Sequence, residues 1–155
     1  MTEDLVEAWL INNRVNLLLL KELTPEALRA TLSTRGGRTV GQQLVHVYEV
    51  RRSKVEAADK TLAKDLPAVT RDQGHDKRLL THAFERSGFA VAELIRRSAA
   101  AGGKVKGFKR GIAALIGYFI AHDAHHRGHI VLTLKQAGKK RSEHLQMGLW
   151  VWNRI

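Results

Sequence analysis

Apolar residues recur along this chain at helical spacing, and no stretch alternates with the strict period of two that a half-buried strand requires. Leu5, Trp9, Ile11, Val15, Leu18 and Leu19 mark a first helix that opens at Thr2 and ends near Leu23, with Glu3 and Asp4 favouring its N-terminus. Thr24-Pro25-Glu26 restarts the chain as a cap and first-turn proline, predicting a short helix through Leu32. Ser33 to Gly37 reads as a loop, and Thr39 as the N-cap of a helix reaching about Ala58, with Val40, Leu44, Val47 and Tyr48 on its apolar face. Lys60 to Gly74, with Pro67 and mixed polarity, is an irregular connection. Leu79, Leu80, Ala83, Phe84, Phe89, Leu94 and Ile95 support a further helix from His75 or Asp76 to about Ala99. After a glycine-containing loop from Ala100 to Gly107, the last long helix runs from about Phe108 to Gln136 and stops at Gly138. The tail turns basic and ends in Leu149-Trp150-Val151-Trp152, predicted to return to the core. Four long helices with short helical segments between them imply an all-α four-helix bundle, formed by residues 1–155 as one domain.

The last long helix carries four of the eight histidines, at 122, 125, 126 and 129. At roughly 100° per residue, with His122 at 0°, Leu115 falls near +20°, Phe119 near +60° and Ile130 near +80°. His126 falls near +40°, so His122 and His126 both lie within the apolar stripe, while His129 (about −20°) and His125 (about −60°) approach its edge. An i,i+4 histidine pair projects two imidazoles from one face, and a metal with short metal–nitrogen bonds can bridge them. Burying such rings otherwise costs free energy unless a partner satisfies them. Asp123, near +100°, interrupts the stripe on its far side. His122-Asp123-Ala124-His125-His126 also has the spacing of H-E-x-x-H, with Asp in place of Glu. Asp is a methylene shorter, and the nearest downstream candidate ligand, Glu143, lies in the basic tail, so a protease is the weaker reading. His46 lies about 100° from the middle of its own helix's apolar face, and periodicity gives no reason to select it.

Composition narrows the chemistry. The chain has no cysteine, which excludes disulfides, cysteine zinc sites and cysteine nucleophiles. Its acidic start predicts no signal peptide, no apolar run has spanning length, and a cytoplasmic protein with no membrane association is expected. The net charge of +11 admits nucleic acid or another anion as partner. Its basic residues, at Arg51-Arg52-Ser53-Lys54, Arg96-Arg97, Lys104 to Arg110 and Lys139-Lys140-Arg141, are scattered with little aromatic interleaving and read as solvated surface.

The order of parts resembles the DinB/YfiT-like superfamily. The resemblance rests on the early tryptophan, the segment TVGQQLVHVYEVR, the string HDAHHRGHI and a tryptophan-containing end, and it covers essentially the whole chain. It implies a four-helix bundle in which three histidines bind one divalent metal ion, usually zinc or nickel; carried over by motif, these are His46, His122 and His126. His129 stands where the family commonly has Gln, as a fourth ligand or a substrate contact. Glu49 and Asp123 would be acceptors that orient the ligand imidazoles. The resemblance also implies a homodimer and a small-molecule substrate, with a low-molecular-weight thiol as a candidate cosubstrate.

Three histidines with an open position are a catalytic coordination set. The leading expectation is therefore a metal-dependent enzyme, either a thiol-dependent transferase or a hydrolase using metal-bound water. Its rivals are a nucleic-acid or anion-binding helical protein, which would bind in a steeply salt-dependent way, and a bundle whose histidines are merely packed. A di-metal carboxylate bundle is excluded, because the paired E-x-x-H motifs are absent.

Overall fold

The computed structural model describes residues 1–139 and 141–155; Lys140, one of the basic tail residues, lies outside them. The described residues form α1 (Thr2–Glu22), α2 (Pro25–Arg29), α3 (Val40–Ala58), α4 (Lys60–Ala63), α5 (Lys77–Ala100), α6 (Gly111–Gln136) and α7 (Glu143–Gly148). Single 3-10 turns lie at Arg71–His75 and Trp152–Arg154, and no strand occurs among the described residues. The fold is all-α, with α1, α3, α5 and α6 as the four long members of the bundle. α1 and α3 each pack against both α5 and α6, so these four helices close a ring in the order α1, α5, α3, α6. No helix is long and apolar enough to cross a membrane among the described residues.

Local chemistry sets the boundaries. Thr39 and Gln42 form a reciprocal capping box at the start of α3, Thr24 caps α2 ahead of Pro25, and the Asp76 carboxylate accepts from the Leu79 N–H at 2.9 Å to open α5. Gly138 ends α6 in the left-handed region at φ +67°, and the Lys139 N–H donates to the Leu134 carbonyl at 2.9 Å.

Several expected boundaries move. α1 does open at Thr2, with Met1 as its N-cap but without a side-chain bond. α2 stops at Arg29 rather than Leu32, because Thr31 and Ser33 turn their hydroxyls onto nearby backbone, at the Arg38 carbonyl and the Gly37 N–H. The Lys60–Gly74 connection is not wholly irregular; Asp59 caps α4 through Thr61 and Leu62, and a 3-10 turn closes it. α6 begins at Gly111 rather than Phe108, since Gly107 and Gly111 both sit at positive φ. The tail returns through Leu145 and Gly148, which are buried, whereas Trp150 is 82% exposed.

The core is two clusters. Leu19, Leu44, Tyr48, Phe84, Ile130 and Leu134 belong to one end of the bundle, and Trp9, Val55, Val91, Ile95, Leu115 and Phe119 to the other. Between them in the sequence of every long helix stand polar side chains with almost no solvent exposure: Asn12, Asn13 and Asn16 of α1, Arg51 of α3, Ser87 of α5 and Asp123 of α6. Arg51 corrects the expectation of a solvated basic surface at that position. Its guanidinium is wholly buried, 4.6 Å from the ring centroids of both Trp9 and Phe84, and donates to Asn13, Ser87 and Asp123. Burying this charge is tolerable because each of the other three long helices contributes a partner.

Candidate metal centre

Because α3 is adjacent to α6, His46 faces the i,i+4 pair across the seam between them. The ring centroids of His46 stand 5.2 Å from His122 and 4.9 Å from His126, and those two are 4.7 Å apart. Each ring offers one nitrogen within 4.8 Å of the others'. His122 Nε2 and His46 Nε2 are 3.3 Å apart. Two nitrogens bound at about 2.05 Å to a tetrahedral ion stand about 3.4 Å apart, so this separation fits a shared zinc-sized cation.

Two of the three imidazoles resist protonation, as donors to a cation must. Burial lowers the affinity of His46 for a proton, and the charge of Arg38 and the neighbouring His122 push the same way. His126, buried against His122 and His46, is pushed down to about 4. His122 Nδ1 and His126 Nδ1 are buried without hydrogen-bond partners among the described residues. Crowded imidazoles with unspent nitrogens could hold a divalent cation.

A second group shares His126. His125, His126 and His129 also bring one nitrogen each within 4.8 Å, but His125 and His129 are exposed and all three sit within about a turn of a single helix. The first group draws on two helices and is more enclosed. His129 instead lines, with His126, a cleft of about 300 Å³ whose other walls include Thr31, Ser33, Arg38 and Gln43.

Asp123 stands beside His122 but faces the buried layer. Its Oδ2 accepts from Arg51 at 2.5 Å, Asn12 at 2.7 Å and Asn16 at 2.9 Å. Burial is the largest single influence and raises its proton affinity, yet the charge of Arg51 and the surrounding donors together outweigh it and hold the carboxyl down at about 2. Its Oδ1 is unpartnered, 4.0 Å from His122 Nδ1. A carboxylate bound this way is a fixed anion rather than a base for water, which counts against the H-E-x-x-H protease reading. Glu49 makes no hydrogen bond to the three imidazoles, and its Oε1 is buried without a partner among the described residues.

Sequence reasoning missed Arg38 and Gln43. Gln43 carried a signal, since it precedes His46 by three residues and so shares its helix face. Arg38 lies in a loop, where periodicity has nothing to say.

An all-α bundle with convergent histidines from adjacent helices thus defines the class. The sequence matches the DinB family over residues 1–144, and the chain belongs to that family. No curated protein and no solved structure matches it.

Proposed function

We propose that the protein is a divalent-metal-dependent enzyme in which His46, His122 and His126 hold one zinc or nickel ion, acting on a small anionic substrate. The observation that carries this reading is the 3.3 Å approach of His46 Nε2 to His122 Nε2 beside a third buried imidazole. A cation bound by three histidines supplies Lewis acidity at its open position, enough to acidify a thiol or a water held there.

The chain's own residues fit an anionic small molecule entering by the cleft. Arg38 supplies positive charge at the cleft wall, and its field already reaches His46. Gln43 lines the same cleft and keeps Oε1 buried without a partner among the described residues, an acceptor for a substrate N–H, O–H or S–H. His129 completes the rim as a proton donor or acceptor. The reaction is a thiol-dependent transfer or a hydrolysis by water held at the metal; with no cysteine in the chain, a thiol nucleophile would have to come from a low-molecular-weight cosubstrate.

Elemental analysis of untagged protein tests the site. About one equivalent of metal per chain is expected, lost in His46→Ala and in His126→Ala and kept in His125→Ala and His75→Ala. Protein that stays metal-free after equilibration with zinc and with nickel would sink the proposal. Loss of metal in His125→Ala with retention in His46→Ala would move the ligands to the second group.

A further inference from the structure

On the side of α6 away from the histidines lies a groove of about 460 Å³ whose apolar walls are Ile120, Val131, Leu149, Trp150 and Trp152. That volume lies in the range of small-molecule sites. Gly128 forms part of its lining, and a Cβ built there would meet nothing within 4 Å. Two cations, Arg127 and Arg141, line the groove, and no acidic side chain does among the described residues.

Arg127 ties the groove to the buried polar layer. Its Nη1 donates to Asn12 Oδ1 at 2.8 Å and to Asn16 Oδ1 at 2.9 Å, and both asparagines pass their amide N–H groups to Asp123 Oδ2. The same oxygen receives Arg51. Two guanidiniums therefore share one carboxylate, and Arg51, fully enclosed, has the direct contact. No carboxylate lies within 4.0 Å of Arg127 among the described residues. Arg127 is hydrogen-bonded only to neutral amides and shares the charge of Asp123 with Arg51, so two largely enclosed cations face one carboxylate, and a second anion beside Arg127 would balance them. Arg127 lines the groove.

We propose that this groove binds a small amphipathic anion: a carboxylate or similar acid group on Arg127, flanked by Arg141, with an aromatic or branched apolar body against Val131 and the two indoles. Acid group and body are both needed, because the cations lie in a groove with otherwise mainly apolar walls. Charge-assisted contact to a guanidinium fixes orientation, and stacking on tryptophan supplies buried area. The site is separate from the histidine cleft and does not depend on what that cleft holds.

Calorimetric titration with 1-naphthoate as probe, against the neutral 1-naphthalenemethanol, tests this. One naphthoate per chain is expected, with the alcohol at least about tenfold weaker, since a charge-assisted hydrogen bond is lost. Gly128→Leu, which fills the groove where a side chain meets no neighbour, should weaken naphthoate by about tenfold or more without lowering the unfolding midpoint. Arg127→Gln should bring the acid down to the affinity of the alcohol, and His46→Ala should leave naphthoate binding unchanged. Equal affinity for acid and alcohol, indifference to Gly128→Leu, or loss of binding in His46→Ala would each overturn the assignment. So would sedimentation showing a dimer that Gly128→Leu dissociates, which would make the groove an interface between two copies.

Discussion

Arg51 and Asp123 meet in the middle of the bundle, Nη2 to Oδ2 at 2.5 Å, with neither side chain exposed to solvent. The pair joins α3 to α6, the two helices that carry His46 and His122, and Asp123 is the residue next to His122. The bundle therefore fixes the seam on which the histidines converge through a buried charge pair rather than through apolar packing alone. Removing one partner strands the other charge. Arg51→Met is expected to cost about 3–5 kcal/mol in urea unfolding. The double variant Arg51→Met/Asp123→Leu should lose clearly less than the sum of the two single changes. Additive losses would show that the two residues do not act as a pair.

Acid should destabilise the metal-free protein in two steps. His126 is held near 4 against an ordinary 6.5, and His46 is lowered as well. Between those values the unfolded chain binds protons that the folded chain refuses, so the neutral rings contribute stability in full above about pH 6.5, and it is lost as the pH falls towards 4. Asp123, held at about 2 against 3.8, contributes stability present above its ordinary value and lost as the pH falls through about 2. Urea midpoints of chelator-treated protein should therefore fall between about pH 7 and pH 4.5, and His126→Gln should flatten that part of the curve. A midpoint flat over this range in the parent protein would contradict the burial of these rings.

Gly41 and Gly74 set how closely the 3-10 turn at Arg71–His75 approaches the first turn of α3. A Cβ on Gly41 would overlap the Gly74 carbonyl, which is backbone and has no side-chain freedom with which to yield. Gly41→Ala is expected to destabilise by about 3 kcal/mol or more, although alanine is the better helix former. Ala57→Gly, at an exposed position near the other end of α3, serves as the comparison and should cost about 1 kcal/mol or less. Thermal unfolding of the two variants decides between them; similar losses would mean that the close approach at Gly41 relaxes freely.

What the sequence made legible follows from where each signal resides. Helix starts were readable at Thr24 and Thr39 because capping is local chemistry, and the His122/His126 pair because one helix's periodicity places both rings on its apolar face. His46 was not legible in this way. Its ring lies off the apolar stripe of α3 because the histidines occupy the seam between two helices, and only the resemblance pointed to it. The buried polar layer was hidden for a similar reason. Arg51 sits in a run of cations that reads as surface, and Asp123 read as a flaw in an apolar stripe. Asn12 and Asn16, an i,i+4 pair following Trp9, did carry a sign of it, since two amides on one helix face prepare a polar partner.

The unpartnered atoms between His122 and Asp123 support the last prediction. His122 Nδ1 and Asp123 Oδ1 are both buried, both without a hydrogen bond among the described residues, and 4.0 Å apart. An imidazole that gives one nitrogen to a cation carries its proton on the other, and a nearby carboxylate oxygen that accepts or attracts this N–H orients the ring and makes it more basic. Asp123→Asn keeps the shape and removes the charge, and is expected to weaken zinc binding about 10–100-fold. Competition against a chromophoric chelator at neutral pH reads this directly, with circular dichroism confirming that the helices persist. Glu49→Gln provides the comparison: Glu49 has no hydrogen bond to any of the three imidazoles, so its affinity should stay within about threefold of the parent's. If Asp123→Asn binds zinc as tightly as the parent while Glu49→Gln does not, the carboxylate that orients the site is on α3 rather than α6.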